Sequence, residues 1–164
     1  MAQESNETVV VETSYSPEVL TNFDEHGHLI NPATRFSMQC NICHVVNLSF
    51  VNHAVDKKSA ATHEPFVVLP RCGHAFGYEC ILGWVWPSIN KENPKCPSCR
   101  KEIFRSKDDV QVFRIFGVCN AEEQPMEIAT IRESLRLNEP TAQTDPLTPL
   151  NEGWDIIDAV SLLY

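Results

Sequence analysis

The chain has 164 residues, 43% hydrophobic and 21% charged, with seven cysteines and a net charge of −9 at pH 7. That length holds one small domain with extensions, or two small domains at most. The acidic balance argues against non-specific nucleic-acid binding, which is driven by phosphate neutralisation, and no run approaches the roughly 20 apolar residues of a membrane span.

The charge is unevenly placed. Residues 1–36 carry six acids against Arg35, and residues 119–164 carry nine against Arg132 and Arg136, while 37–118 hold ten bases and seven acids. The centre is therefore mildly basic between acidic ends, which reads as a solvated surface or as a face for an acidic partner. Residues 1–35 are polar and acidic with little to bury, so a disordered segment is expected there. Val9-Val10-Val11 and Val19-Leu20 are its apolar clusters before Phe23, suited to a short strand or a docking segment. His26 and His28 fall in a Gly-containing, turn-like stretch and read as an exposed loop.

Six of the seven cysteines lie between Cys40 and Arg100, as Cys40-Asn41-Ile42-Cys43, Cys72-Gly73-His74, Cys80 and Cys96-Pro97-Ser98-Cys99. A Cys-x-x-Cys turn folds two thiolates toward one point, and tetrahedral zinc accepts sulfur at ~2.3 Å and imidazole nitrogen at ~2.0 Å. Seven candidate ligands fill one four-ligand site and leave three for another, however they pair. An odd cysteine count, and Cys-x-x-Cys pairs interleaved with Cys-x-His, do not suit a disulfide framework. The first residues lack the charged, apolar, small-residue order of a signal peptide. A reducing compartment, cytoplasmic or nuclear, is therefore expected.

Between Cys43 and Cys72, Val45–Val51 and Phe66–Leu69 are rich in strand formers, with a loop tip at Asp56–Ser59. The expectation is a hairpin-like arm leading back to Cys72. Tyr78–Trp86 has the length of about two helical turns and stops at Pro87. That spacing puts Cys80 and Trp84 on one side, with Trp86 expected in the core. Further on, Val110–Phe116 suggests a strand ended by Gly117. Pro125 opens a helix with Ile128, Ile131 and Leu135 on one face, which Pro140 ends. Thr141–Pro149 reads as a linker, and Trp154–Tyr164 as an amphipathic helix with a broad apolar face that needs a partner.

The order of ligands resembles the RING finger family over about 60 residues, a length that seldom folds without a staple. The resemblance implies a small zinc-stapled α+β fold, a RING-like cross-brace with a short β-hairpin and one central helix, to which the helical periodicity beyond Pro125 adds a C-terminal helical extension. Together with the readings above, it divides the chain into a disordered acidic N-terminal segment (1–35), a RING-type zinc finger (36–104), a strand and helix extension (105–139), and a linker with a C-terminal amphipathic helix (140–164). It also implies that Cys72, His74, Cys96 and Cys99 make one complete zinc site, while Cys40, Cys43 and Cys80 belong to a second. The family places Cys or His where this chain has Gly77, so the second site lacks a ligand. It takes one from elsewhere (His53, His63 and Cys119 are candidates, while His44 points away), or is completed by water, or is held by packing.

What the resemblance implies for function is ubiquitin ligation by positioning. Ile42, Trp84 and Pro97 match the positions that bind a ubiquitin-conjugating enzyme, and Arg100 matches the linchpin-like basic residue that bridges that enzyme and ubiquitin. The partners implied are a conjugating enzyme, ubiquitin and a protein substrate. The other reading is a RING-like interaction module without ligase activity, because Gly77 leaves the first loop less firmly clamped. Zinc-hydrolase chemistry is not supported: a deaminase pattern wants His-x-Glu and Pro-Cys-x-x-Cys, whereas Glu64 directly follows His63 and Lys95 separates Pro94 from Cys96. Cys119 shows no orienting base in sequence and reads as an inert thiol.

Overall fold

The computed structural model describes residues 7–45, 47–48, 50, 53–55, 64–88, 93–104 and 113–136. Strand β1 (Val9–Val11) pairs in parallel with β2 (Thr34–Phe36), with Val9 opposite Thr34 and Val11 opposite Phe36. A parallel pair needs a crossover, and here it contains the short helix α1 (Ser16–Leu20). Pro17 suits the first turn of α1, where the amide it lacks would have had no helical partner. The Asp24–His28 turn that follows is closed by the Asp24 carboxylate, which accepts from the amides of His26 and His28 at 2.9 Å each. Those two amides, with the nearby histidines, hold the Asp24 carboxyl below its usual range. His26 and His28 themselves are exposed, as the loop reading expects.

The expectation of disorder over residues 1–35 is corrected by this arrangement: from residue 7 onward the segment is folded, with Val19 and Phe23 in the core. Composition misleads because the apolar partners are remote in sequence. Phe23 stacks on Phe36 (ring centroids 5.5 Å apart) and meets Phe50 edge-on at 5.7 Å, and the aromatic chain continues through Phe66 to Phe116.

The second sheet is an antiparallel hairpin of β3 (Phe66–Val68) and β4 (Ala75–Gly77), with Val67 opposite Phe76. Residues 66–68 are therefore a strand, as expected, but their partner is 75–77. Among the described residues of 45–51 no strand forms, and Asn47 makes an isolated bridge to Gln39. Closing Leu69–His74 is the shorter loop and costs less chain entropy than pairing across the long insertion. The expected loop tip at Asp56–Ser59 lies outside the described residues.

Helix α2 (Tyr78–Val85) leaves β4 directly and puts Ile81 and Val85 into the core. The inward stripe is thus i and i+4, which turns Trp86 outward. Trp86 is 75% exposed, and the expectation that it fills the core is wrong. Helix α3 (Gln124–Arg136) buries Ile128 and Ile131 and half-buries Leu135, the three positions its periodicity marks. Each buried isoleucine contributes about 1.5–3 kcal/mol.

Of the expected strand at Val110–Phe116, residues 110–112 lie outside the described residues. Phe116 makes a single bridge, exchanging backbone bonds with Phe66 at 2.9 and 2.8 Å. The linker at 141–149 and the helix at 154–164 also fall outside. One buried cluster joins residues from every described segment except 53–55, Val19 and Phe23 through Phe76 and Ile81 to Ile128 and Ile131, and so runs across the expected boundaries at 36 and 105. The fold is a small α+β domain with two cysteine-containing groups.

Candidate metal centre

The loop between β3 and β4 carries Cys72 and His74. The amides of Cys72 and Gly73 both donate to the Leu69 carbonyl, at 3.2 and 2.7 Å. Gly73 has φ +76°, and a Cβ there would stand 2.6 Å from Cδ of Pro17. Glycine is thus required twice, for its backbone angle and for the approach of α1. The N-terminal segment braces this loop: Ser16 N donates to Gly73 O at 2.8 Å, Ala75 N donates to Ser14 O at 2.8 Å, and the Tyr15 ring lies 5.3 Å from the His74 ring.

The two Cys-x-x-Cys turns are built alike. The amide of the residue after the second cysteine donates to the first cysteine's carbonyl, His44 to Cys40 at 2.8 Å and Arg100 to Cys96 at 2.9 Å. Both of those residues have positive φ, 58° and 62°, a conformation that costs a non-glycine residue about 1–2 kcal/mol. The second turn is carried at the tip of a narrow ladder in which Lys95 bridges Glu102 and Ile103 N donates to Pro94 O.

Two groups of donors result. Cys72, His74, Cys96 and Cys99 have ligand atoms all within 4.8 Å of one another, and so do Cys40, Cys43 and Cys80. These are alternate pairs along the chain, so each group is stapled through the other's intervening sequence, which is the cross-brace. Tetrahedral ligands at ~2.3 Å from one ion lie roughly 3.8 Å apart, so the donors already stand near their bonding positions.

The electrostatics fit a cation. A hydrogen bond from Cys72, helped by the Ser98 and Cys99 amides, draws the Cys96 thiol down to about 5. That same bond, with burial, pushes Cys72 up. Burial and the neighbouring Cys43 and Cys40 push Cys80 up to about 12. Crowded thiols cannot all ionise unaided, whereas a divalent ion removes that repulsion. Nδ1 of His74 is buried with no hydrogen-bond partner, which is costly for a polar atom unless a ligand takes its lone pair. Donor chemistry, spacing and this orphaned nitrogen all fit zinc: two Cys/His clusters suited to binding it, one with four donors and one with three among the described residues.

The candidates for the missing donor lie elsewhere. His53 faces the Phe23 ring at 6.2 Å, and Cys119 Sγ donates to Glu127 Oε2 at 3.0 Å, its own titration pushed up to about 12 by burial and that carboxylate. His44 is exposed, and His63 is outside the described residues. Gly77 keeps an ordinary extended backbone, and its amide donates to Cys40 Sγ at 3.4 Å. In the space its side chain would take stands the Glu64 carboxylate, 2.6 Å from an ideal Cβ.

Two hydrogen bonds connect the cysteine turns and α2. Asn41, beside Ile42, donates to Ser98 Oγ, beside Pro97, at 3.2 Å and to Ser14 Oγ at 3.1 Å. Trp84 Nε1 donates to Lys95 O at 2.9 Å, which holds an indole that is 48% exposed. Ile42 and Pro97 are half-buried and Arg100 is exposed. The Asn41–Ser98 and Tyr15–His74 contacts join residues far apart in the chain, and the sequence carries no local signal for them.

A family model for the RING-type zinc finger matches residues 40–97. An uncharacterised RING finger protein of Schizosaccharomyces pombe is 31% identical over 75 residues, which are 45% of this chain and 14% of that protein. The human E3 ubiquitin-protein ligase RFWD3 is 33% identical over 66 residues, 40% of this chain and 8% of that protein. The chain thus covers a small part of either relative's length. No solved structure matches. Among the described residues, no helix is long and apolar enough to cross a membrane.

Proposed function

We propose, from the premise that residues 40–97 are a RING-type zinc finger, that this chain acts as an E3 ubiquitin-protein ligase. It would position a ubiquitin-loaded conjugating enzyme for transfer to a substrate lysine. The observation that carries the reading is the pair of hydrogen bonds that ties the carriers of Ile42, Trp84 and Pro97 to one another. A partly exposed tryptophan with its polar edge already satisfied offers apolar area at low ordering cost, the usual character of an interface anchor. Zinc held by Cys72, His74, Cys96 and Cys99 in one site and by Cys40, Cys43 and Cys80 in the other would supply structure, and the four-donor site leaves no open catalytic position.

The chemistry then belongs to the bound thioester, and the protein contributes proximity and orientation. Arg100 follows the last cysteine, and its backbone is fixed by the bond to Cys96 O. Its exposed guanidinium is a planar fork able to reach carbonyls on two neighbours at once. The RING likeness supports a conjugating enzyme and ubiquitin as partners.

The test is a discharge and chain-forming assay with a panel of conjugating enzymes. Trp84→Ala and Arg100→Ala are expected to retain zinc and to lose activity, Trp84→Ala by roughly 30-fold or more if it is an anchor of about 2 kcal/mol. A lack of activity with every conjugating enzyme tested would instead favour the second reading, a zinc-stabilised interaction module. The three-donor group beside Gly77 is the feature that favours that alternative.

A further inference from the structure

Gly77 leaves a gap in a place where a gap is costly. Its amide already bonds Cys40 Sγ, so its α-carbon borders the three-thiolate group, and α2, which begins at the next residue, carries Cys80. The side chain that turns into this gap comes from the chain just ahead of β3. Glu64 places Oε2 at 2.6 Å and Oε1 at 3.0 Å from where a Cβ of residue 77 would be. Its backbone is fixed by donation from Glu64 N to Asn47 O at 3.1 Å, and Pro65 O receives Tyr78 N at 2.8 Å. The carboxylate is therefore delivered by anchored backbone on both sides, and the three heavy atoms nearest an ideal Cβ at Gly77 all belong to it.

We propose that Glu64 is the fourth donor to the metal held by Cys40, Cys43 and Cys80, its carboxylate replacing in space the side chain that Gly77 lacks. The exchange is complementary in size: with glycine at 77, the carboxylate stands in the space that a Cβ and the rest of a side chain there would take. Zinc accepts a carboxylate oxygen at about 2.0–2.2 Å, close to its distance for imidazole. Three thiolates and a carboxylate would leave the site closed and its charge more negative than a three-cysteine, one-histidine set. In the present arrangement Oε1 accepts from Glu79 N at 3.1 Å, and the three sulfurs group without Glu64. Coordination thus requires the carboxylate to swing toward Cys40 while one oxygen keeps or releases the Glu79 amide at the start of α2. That shared contact couples filling of the site to the first turn of the helix that carries Trp84.

The inference does not depend on ligase activity and is tested with metal alone. The full chain is loaded with cobalt(II) or zinc, metal per chain is counted, and the cobalt spectrum is recorded against a graded chelator. The wild-type chain is expected to bind two ions. Glu64→Ala should release one of them at a chelator strength lower by more than the ~10–100-fold typical of losing an outer partner. Glu64→Cys should keep two ions and raise the thiolate-to-cobalt charge-transfer band of that site by roughly a third, as three thiolates become four. Far-UV circular dichroism identifies variants that do not fold, and Glu64→Cys, a gain of signal, remains informative if Glu64→Ala is among them. Three results would overturn the proposal: one ion per chain in the wild type, an unchanged cobalt spectrum in Glu64→Cys, or loss of the second ion on His63→Ala with Glu64→Ala unaffected.

Discussion

Replacing Arg132 by alanine should detach the N-terminal segment from the rest of the domain. From α3, the guanidinium donates to Asp24 O at 2.6 Å, to Phe23 O at 2.8 Å and, at longer range, to Leu20 O at 3.4 Å. These are carbonyls at and beyond the C-terminal end of α1; Leu20 O and Asp24 O also accept from the Phe23 and Gly27 amides, at 3.2 and 3.1 Å, so the guanidinium adds to the backbone's own turn bonds. A hydrogen bond from a charged donor contributes about 1.5–3 kcal/mol, so the two short ones sum to roughly 3–6 kcal/mol. The side chain is only half-buried, and water can replace part of this, leaving an expected loss of about 2–3 kcal/mol. Against a total of about 5–15 kcal/mol for a domain, that is large. Urea unfolding at fixed free zinc, followed by far-UV circular dichroism, should show a lower midpoint with unchanged slope. Hydrogen exchange should show the amides of Thr21, Asn22 and Phe23 losing protection first. Arg132→Lys, which keeps the charge without the fork, should fall between. A loss below about 0.5 kcal/mol in the alanine variant, within the range of an ordinary surface substitution, would refute the claim that α3 clamps the α1 end.

Other outcomes follow from the same geometry. Gly73→Ala forces a Cβ into φ +76° and to within 2.6 Å of Pro17. It should cost about 2–3 kcal/mol, the left-handed penalty plus the displaced contact, and expose the Ser16 and Ala75 amides to exchange; a variant as stable as the wild type would refute the bracing of this loop. Chelation of zinc should unfold the centre, because structural zinc contributes about 10–16 kcal/mol in small peptides and domain stability is of the same order. Near-UV circular dichroism unaltered by chelator would contradict this. Burial first and the Glu127 carboxylate second push the Cys119 thiol up to about 12. A raised thiol contributes stability that is complete below pH 9 and lost as the pH climbs toward 12. Iodoacetamide at pH 8–9 should therefore label Cys119 more slowly in the folded chain than in the denatured one, and Glu127→Gln should speed the labelling. Equal rates in all three would show that the thiol is unperturbed.

The ligand order is local chemistry and was legible at once. Cysteine and histidine have few other reasons to recur at these spacings, and the grouping implied by the RING resemblance is the grouping the structure shows. Helices α2 and α3 were equally readable, because Ile128, Ile131 and Leu135 repeat at helical period and Pro87 and Pro140 limit the runs. Helical period alone does not say which stripe faces inward, and Ile81 and Val85 hold that place while Trp86 faces solvent.

What the sequence by itself determined was therefore the metal chemistry and the elements written in one stretch of chain. What only the tertiary structure decided was partnership at a distance: β3 with β4, Phe23 with Phe36 and Phe50, Arg132 with the end of α1, and Glu64 beside Gly77. The reason is physical. Ligand spacing and helical periodicity are properties of neighbouring residues, whereas burial and hydrogen-bond satisfaction are set by which remote segments win the same space.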